Sequence, residues 1–214
     1  MSITMKLNIV NKHEYEEQED YREIILKIPN QIERLERDFK YLGLDYNDLS
    51  IQDTHILNCE IIDKSDQNFS TEITTAISNI IARASDSGYT SSYQYVIKMF
   101  AIINTLDNED KYKLLAILES ERQNIYNLKD AIKFANNINC FELFDVYDEE
   151  ELARRLIYNQ EIYMEDVMEY ADLQRLGKDV SEDQGIIKTN QGYLRQNEDI
   201  KNEKIQEETE EEEF

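Results

Sequence analysis

Glu161, Glu165, Glu169 and Asp172 are spaced four, four and three residues apart. On a helix that spacing puts four carboxylates on one face. Asp166 lies among them, Asp145, Asp148, Glu149 and Glu150 stand just upstream, and Asp179 follows just downstream. A pair of carboxylates held apart from others can divide acid and base roles. Here carboxylates have carboxylates as neighbours, and no pair is singled out. Fixed negative charges at this density can do something else, which is to occupy a surface built for another polyanion. Interleaved with them, Met164, Val167, Met168 and Ala171 follow an i, i+3, i+4, i+7 pattern, and Tyr163 and Tyr170 widen that apolar arc. One side of the expected helix packs, and the other shows its carboxylates to solvent.

Other chemistry is poorly supported. His55 and Cys59 have ligand spacing only on a helix, their stretch reads as strand, and no second pair completes a zinc site. His13 is a lone histidine in an acidic loop. Asp45, Asn47 and Asp48 lack the Gly and final Glu of a twelve-residue calcium loop. No Gly-rich phosphate loop, nucleophile elbow or His-Glu-x-x-His motif occurs. The expectation is therefore no enzyme, no metal and no cofactor. Fourteen Tyr and seven Phe read as core and interface, because a nucleic-acid binder would need the opposite charge.

The chain has 214 residues, 46 acidic and 23 basic, for a net charge of -23. Its 41% hydrophobic content supports a folded core, and one Pro with five Gly favours uninterrupted helices. No apolar run is long enough for a membrane span, and Met1 to Val10 does not read as a signal peptide. Two cysteines are too few for a disulfide framework, so a cytoplasmic location is expected. Duplex DNA carries one charge per roughly 1.7 Å of axis, so this net charge matches roughly 40 Å of duplex. Solubility alone needs far less, and the excess costs stability through self-repulsion.

The sequence predicts an α+β fold, an elongated chain of small modules. Residues 1–62 read as a small β-sheet with one helix. Met5 to Val10 and Tyr21 to Ile28 are strands joined by a polar loop from His13 to Asp20. A helix follows Pro29, with Asn30 and Glu33 as a capping box, and it stops at Gly43. Asp45 to Asp48 is a turn, and a third strand falls within Leu49 to Ile61. Residues 63–139 read as a helical module, with helices at Thr71–Ala84, Ser92–Leu106, Glu109–Glu119 and Leu128–Asn136, and N-caps at Asn108 and Asn127. Residues 140–197 form an acidic α+β module: a strand over Cys140–Val146, a helix capped by Asp148 with Glu151, a helical stretch from Glu161 to Leu176 broken at Gly177-Lys178-Asp179-Val180, and two short strands about an Asn190-Gln191-Gly192 turn. Residues 198–214 are an acidic tail expected to be disordered. The net charge is -2 over residues 61–140 but -6, -8 and -7 over residues 1–60, 141–180 and 181–214, so it gathers at the ends.

Tyr170-x-Asp172, then Gly177-Lys178-Asp179-Val180, then Thr189-x-x-Gly192-Tyr193, is similar to the end of the ArdA-type antirestriction proteins. That family closes with a Tyr-x-Asp, a Gly-Arg-Asp-hydrophobic step and a Thr-x-x-Gly-aromatic strand. Ile28-Pro29, the Leu42-Gly43-Leu44-Asp45 helix end and the strand around Ile51-Gln52-Asp53 resemble the family's first module. Ser92 to Asn136 matches its middle helices in pattern alone. Lys178 where Arg is usual, extra helical sequence near residues 63–95 and the acidic tail depart from it. The resemblance implies a homodimer joined through its last module, and a carboxylate surface that imitates bent DNA in the DNA-binding cleft of type I restriction-modification enzymes. It implies action in a bacterial cytoplasm from a mobile element, with no nucleic acid and no membrane as partner. Two alternatives stay open: a mimic aimed at another defence nuclease, such as a CRISPR effector with a basic DNA channel, and an acidic helical adaptor whose charge is a solvated face.

Overall fold

A computed structural model describes residues 3–17, 20–29, 32–48, 53–86, 93–120, 125–159, 161–162 and 172–197. Its first sheet has three antiparallel strands in the order β2-β1-β3, with β1 at Thr4–Asn11, β2 at Glu23–Ile28 and β3 at Thr54–Ile62. Alternation decides which face is buried: Met5, Leu7 and Ile9 of β1 and Ile24 and Leu26 of β2 point inward. On β3 the buried residues are Thr54, Ile56, Cys59 and Ile61, a spacing of two, three and two. The register shifts between Asn8 and Ile9, whose partners are Asn58 and Ile56, so Leu57 is an extra residue. That bulge restores the inward phase.

Between β1 and β2 the expected acidic loop is in part a short helix, α1 (Lys12–Glu17). Asn11 Oδ1 accepts from the backbone N–H groups of His13 and Glu14, at 3.0 and 3.4 Å. Lys12–Glu16 and His13–Glu17 are i, i+4 pairs. No residue of α1 is buried, so apolar periodicity gave no sign of it. Helix α2 (Ile32–Tyr41) buries Leu35 and Phe39 against the sheet core. It ends as expected: Gly43 has φ +76°, Leu44 N–H donates to Phe39 O and Gly43 N–H donates to Lys40 O. The proposed capping residues Asn30 and Glu33 fall where side chains lie outside the described residues.

The helical middle comprises α3 (Gln67–Asp86), α4 (Tyr93–Thr105), α5 (Asn108–Glu119) and α6 (Leu128–Asn136). Phe69, Ile73, Ile77 and Ile80 form the inner stripe of α3. Leu114 to Leu118 are five consecutive buried residues, so α5 runs through the interior rather than along a surface. The α5 cap is Asp107, not Asn108: its side chain accepts from Asp110 N at 2.9 Å. Asn127 caps α6 as expected, accepting from Asp130 N at 3.0 Å. Helix α3 also seals the free edge of β3. Thr74 Oγ1 accepts from Ile61 N and donates to Ile61 O, and Ser78 Oγ donates to Cys59 O.

A second sheet, ordered β4-β6-β5, joins β4 (Phe141–Phe144), β5 (Ile187–Thr189) and β6 (Gly192–Gln196) in antiparallel pairs. Helices α7 (Glu149–Tyr158) and α8 (Leu173–Asp183) accompany it. Phe141 and Leu194 belong to one continuous apolar cluster that starts at Ile3 and takes in both the first sheet and the helical middle. Phe144 and Tyr193, on the opposite face, belong to a second cluster with Leu152, Leu156 and Leu176 of α7 and α8. The small sheet is thus a partition between two cores. The whole is α+β, with eight α-helices and two three-stranded antiparallel sheets among the described residues. No helix among them is long and apolar enough to cross a membrane.

Candidate functional site

Gly177, Gly192 and Tyr193, three of the residues quoted for the resemblance, have packing roles around the second core. Gly177 does not break a helix; α8 runs through it to Asp183. A Cβ there would sit 1.7 Å from Glu149 O, so the absence of a side chain lets α8 cross the start of α7 in backbone contact. Gly192, at φ +125°, would likewise put a Cβ 2.3 Å from Phe144 O. Thr189 Oγ1 donates to Gly192 O at 2.9 Å and accepts from Gln191 N, which closes the β5–β6 turn. Tyr193 hydroxyl donates to Glu149 Oε1 at 2.9 Å. Asp172 caps α8, accepting from the backbone N–H groups of Gln174 and Arg175.

The carboxylates divide by environment. Asp145, Asp148, Glu150 and Asp172 are exposed, while Glu149, Glu161 and Asp179 are half-buried. Asp148 Oδ1 accepts from Glu151 N at 2.7 Å, and Glu151 Oε2 accepts from Tyr147 N, so the expected cap of α7 forms. The acidic run at residues 148–151 therefore occupies the positive end of a helix dipole, which fixes those charges in place. Four of the expected acidic residues have basic partners. Glu150 pairs with Arg154 at 2.5 Å, Asp179 with Arg175 at 3.7 Å, Glu149 with Lys188 at 3.7 Å, and Glu161 with Arg195.

Glu161 and Asp172 do not share a helical face. Neither is helical, since Glu161 lies beyond the end of α7 and Asp172 precedes α8. What decides the position of Glu161 is Arg195 on β6. Its guanidinium also binds Glu142 Oε2 at 2.5 Å and Gln184 Oε1 at 3.1 Å, and it lies over the Phe144 ring at 5.0 Å. Burial is the largest influence and raises the Glu161 pKa, but hydrogen bonds from Arg195 and Asn159 and the Arg195 charge together outweigh it, and the net shift is downward. Glu149 is also held below its ordinary value, by its own backbone N–H first and then by the Tyr193 hydroxyl. Glu165, Asp166 and Glu169, and the expected dimer residues Tyr163, Met164, Val167, Met168, Tyr170 and Ala171, lie outside the described residues.

Sequence reasoning missed Arg195 and Lys188 as neutralising partners. The signal was available for one of them: the Asn190-Gln191-Gly192 turn fixes the hairpin, but placing Glu142 opposite Arg195 also needs β4 beside β6. It passed over Glu182 and Asp183, which are exposed at the end of α8. His55 and Cys59 both lie on β3. His55 stacks on Tyr15 with centroids 5.0 Å apart, and burial pushes the Cys59 thiol up to about 12. Among the described residues no three His, Cys, Asp or Glu side chains gather as a metal site. Chemically, the C-terminal surface presents fixed carboxylates, some neutralised and some open to solvent. Comparison with protein-family models finds no match, and a search among the curated proteins finds none.

Proposed function

We propose that the chain is a DNA mimic that occupies the DNA-binding cleft of type I restriction-modification enzymes and so inhibits them without catalysis. The observation that carries this reading is the charge of -23 on 214 residues, together with capped, immobilised carboxylates at the start of α7. A phosphate backbone is a row of fixed charges whose counterions are released when Lys and Arg bind it. Carboxylates fixed by a cap can present themselves to the same residues with little ordering cost. The ArdA-type resemblance of residues 170–193 supports the choice of target, although Gly177, Gly192 and Tyr193 within it act in packing. The reading includes a homodimer formed through the C-terminal segment, which would double the matched length to roughly 80 Å of duplex.

The test is competition. Affinity for a purified type I methyltransferase is measured across a salt series, with DNA as competitor and sedimentation reporting the dimer. Binding should exclude DNA and weaken steeply with salt, because exposed charge pairs are screened over about 8 Å at physiological ionic strength. In the quadruple variant D145N/E150Q/E182Q/D183N, which spares both caps, affinity should fall about tenfold or more at ~1 kcal/mol or less per pair. Each single change should matter little. Simultaneous binding of protein and DNA, or loss of inhibition from one substitution in a folded chain, would sink the proposal.

A further inference from the structure

A groove of about 920 Å³ lies along α3, bordered by the end of α5 and by Asn190 of the β5–β6 turn. Ala76, Leu118 and Ile125 give it apolar lining, and Glu72, Glu119 and Ser120 give it polar lining. Glu119 accepts hydrogen bonds from the backbone and side chain of Asn190 and from the side chain of Gln191. Gln191 Nε2 also donates to Glu72 Oε2 at 2.9 Å, so one amide bridges the two carboxylates. Yet Glu119 Oε2 and Ser120 Oγ are both buried without a hydrogen-bond partner, and Ser120 is only 5% exposed. Buried polar atoms in folded proteins nearly always have partners, so two adjacent orphans lining one groove call for a donor.

We propose that this groove binds an alkylammonium group, whose N–H donors reach Glu119 Oε2 and Ser120 Oγ while its methylene stem lies on Ala76 and Leu118. Alternatives fit less well. A hard divalent cation needs six or more oxygen ligands, and among the described residues no three acidic, His or Cys side chains gather here to supply a metal site. A guanidinium prefers both oxygens of a carboxylate, but Asn190 and Gln191 already hydrogen-bond the Glu119 carboxylate. An ammonium has three donors in a compact head, and Glu72 supplies a second negative charge beside it. Burial first, and then Glu72, raise the Glu119 pKa, and the charge of a bound cation opposes both. Among the described residues Arg83 is the one basic residue lining the groove, eleven positions beyond Glu72 on α3 and roughly 16 Å along its axis. It discourages a second ammonium at that end. The site does not depend on the mimic reading.

The experiment is calorimetric titration of the full chain with n-butylammonium chloride, set against tetramethylammonium chloride at matched ionic strength. Butylammonium should saturate one site, whereas tetramethylammonium, which has no donor, should not. Affinity should drop at least about tenfold in Ser120→Ala and in Glu119→Gln, each checked for fold by circular dichroism. In the unaltered protein the carboxyl carbon of Glu119 should shift on saturation and its titration midpoint should fall, which keeps the test intact if a variant misfolds. Spermidine binding the same site much more tightly than butylammonium would identify a free polyamine as the ligand. Equal affinities would mean that only the terminal ammonium is read, as for a lysine side chain of a partner. Heat that never saturates, or that is unchanged in both variants, would show a diffuse counterion atmosphere and overturn the proposal.

Discussion

Asp63 and Lys111 are the two charged residues buried among the described residues, at 3% and 8% exposure. Lys111 Nζ lies 2.7 Å from Asp63 Oδ2 and 5.3 Å from the Phe69 ring centre, and Asp63 also accepts from Ser65. Next to them Tyr112 hydroxyl donates to Asp66 Oδ2 at 2.7 Å, so the turn before α3 is clasped twice by α5. Burial alone would raise the Asp63 pKa, but hydrogen bonds from Lys111 and Ser65 carry it down to about 2. A depressed carboxyl contributes stability that is present above its ordinary value and lost as pH falls through the folded one. Roughly 2 kcal/mol should therefore disappear between about pH 4 and pH 2. Asp63→Asn should remove that dependence and leave Lys111 buried without its counter-charge, at a cost of about 3–5 kcal/mol at neutral pH. The double variant D63L/K111M should recover most of the loss. Urea unfolding at several pH values checks all three, and an unperturbed D63N would show that the pair is dispensable.

At the scale of elements, Gly177 separates what a sequence can say from what it cannot. Gly inside a polar stretch reads as a stop, yet here it is a contact point between α7 and α8. The reason is a backbone atom of residue 149, which no local pattern contains. Gly177→Ala should therefore cost about 3 kcal/mol or more, because the obstructing atom is a carbonyl that cannot swing aside. Hydrogen exchange should show α7 and α8 loosened while α5, in the other core, stays protected. Equal protection everywhere would mean that the crossing tolerates a methyl group. Where signals were local the sequence spoke clearly: α6 was expected and found at Leu128–Asn136, because apolar spacing and the Asn127 cap agree. Helix α1 was missed because it buries nothing. The acidic face was legible only as composition, since Arg195 draws Glu161 and Glu142 together from three separate stretches.

For the whole molecule the excess of 23 negative charges acts on two equilibria with opposite signs. Salt screens self-repulsion, so the midpoint of thermal unfolding should rise between low and physiological ionic strength, while the affinity for the proposed target should fall over the same range. If both moved in one direction, charge would not be what joins them. On the proposed function the protein inhibits by occupancy and does not turn over, so it would have to accumulate to at least the number of its targets, and crowding with its own kind would become part of its working conditions. The hydroxyl rung of α3 bears on this directly. Strand β3 would otherwise present bare N–H and C=O groups as a template for a neighbour's strand, and Thr74 and Ser78 occupy that template from within the chain. Long-range charge keeps copies apart until salt screens it, and then only this short-range closure of the edge remains. Thr74→Val with Ser78→Ala should accordingly leave the dilute protein folded but raise light scattering at high concentration and high salt. Unchanged scattering would assign colloidal stability to charge alone; otherwise, two hydroxyl groups set how much of this protein a cell can hold.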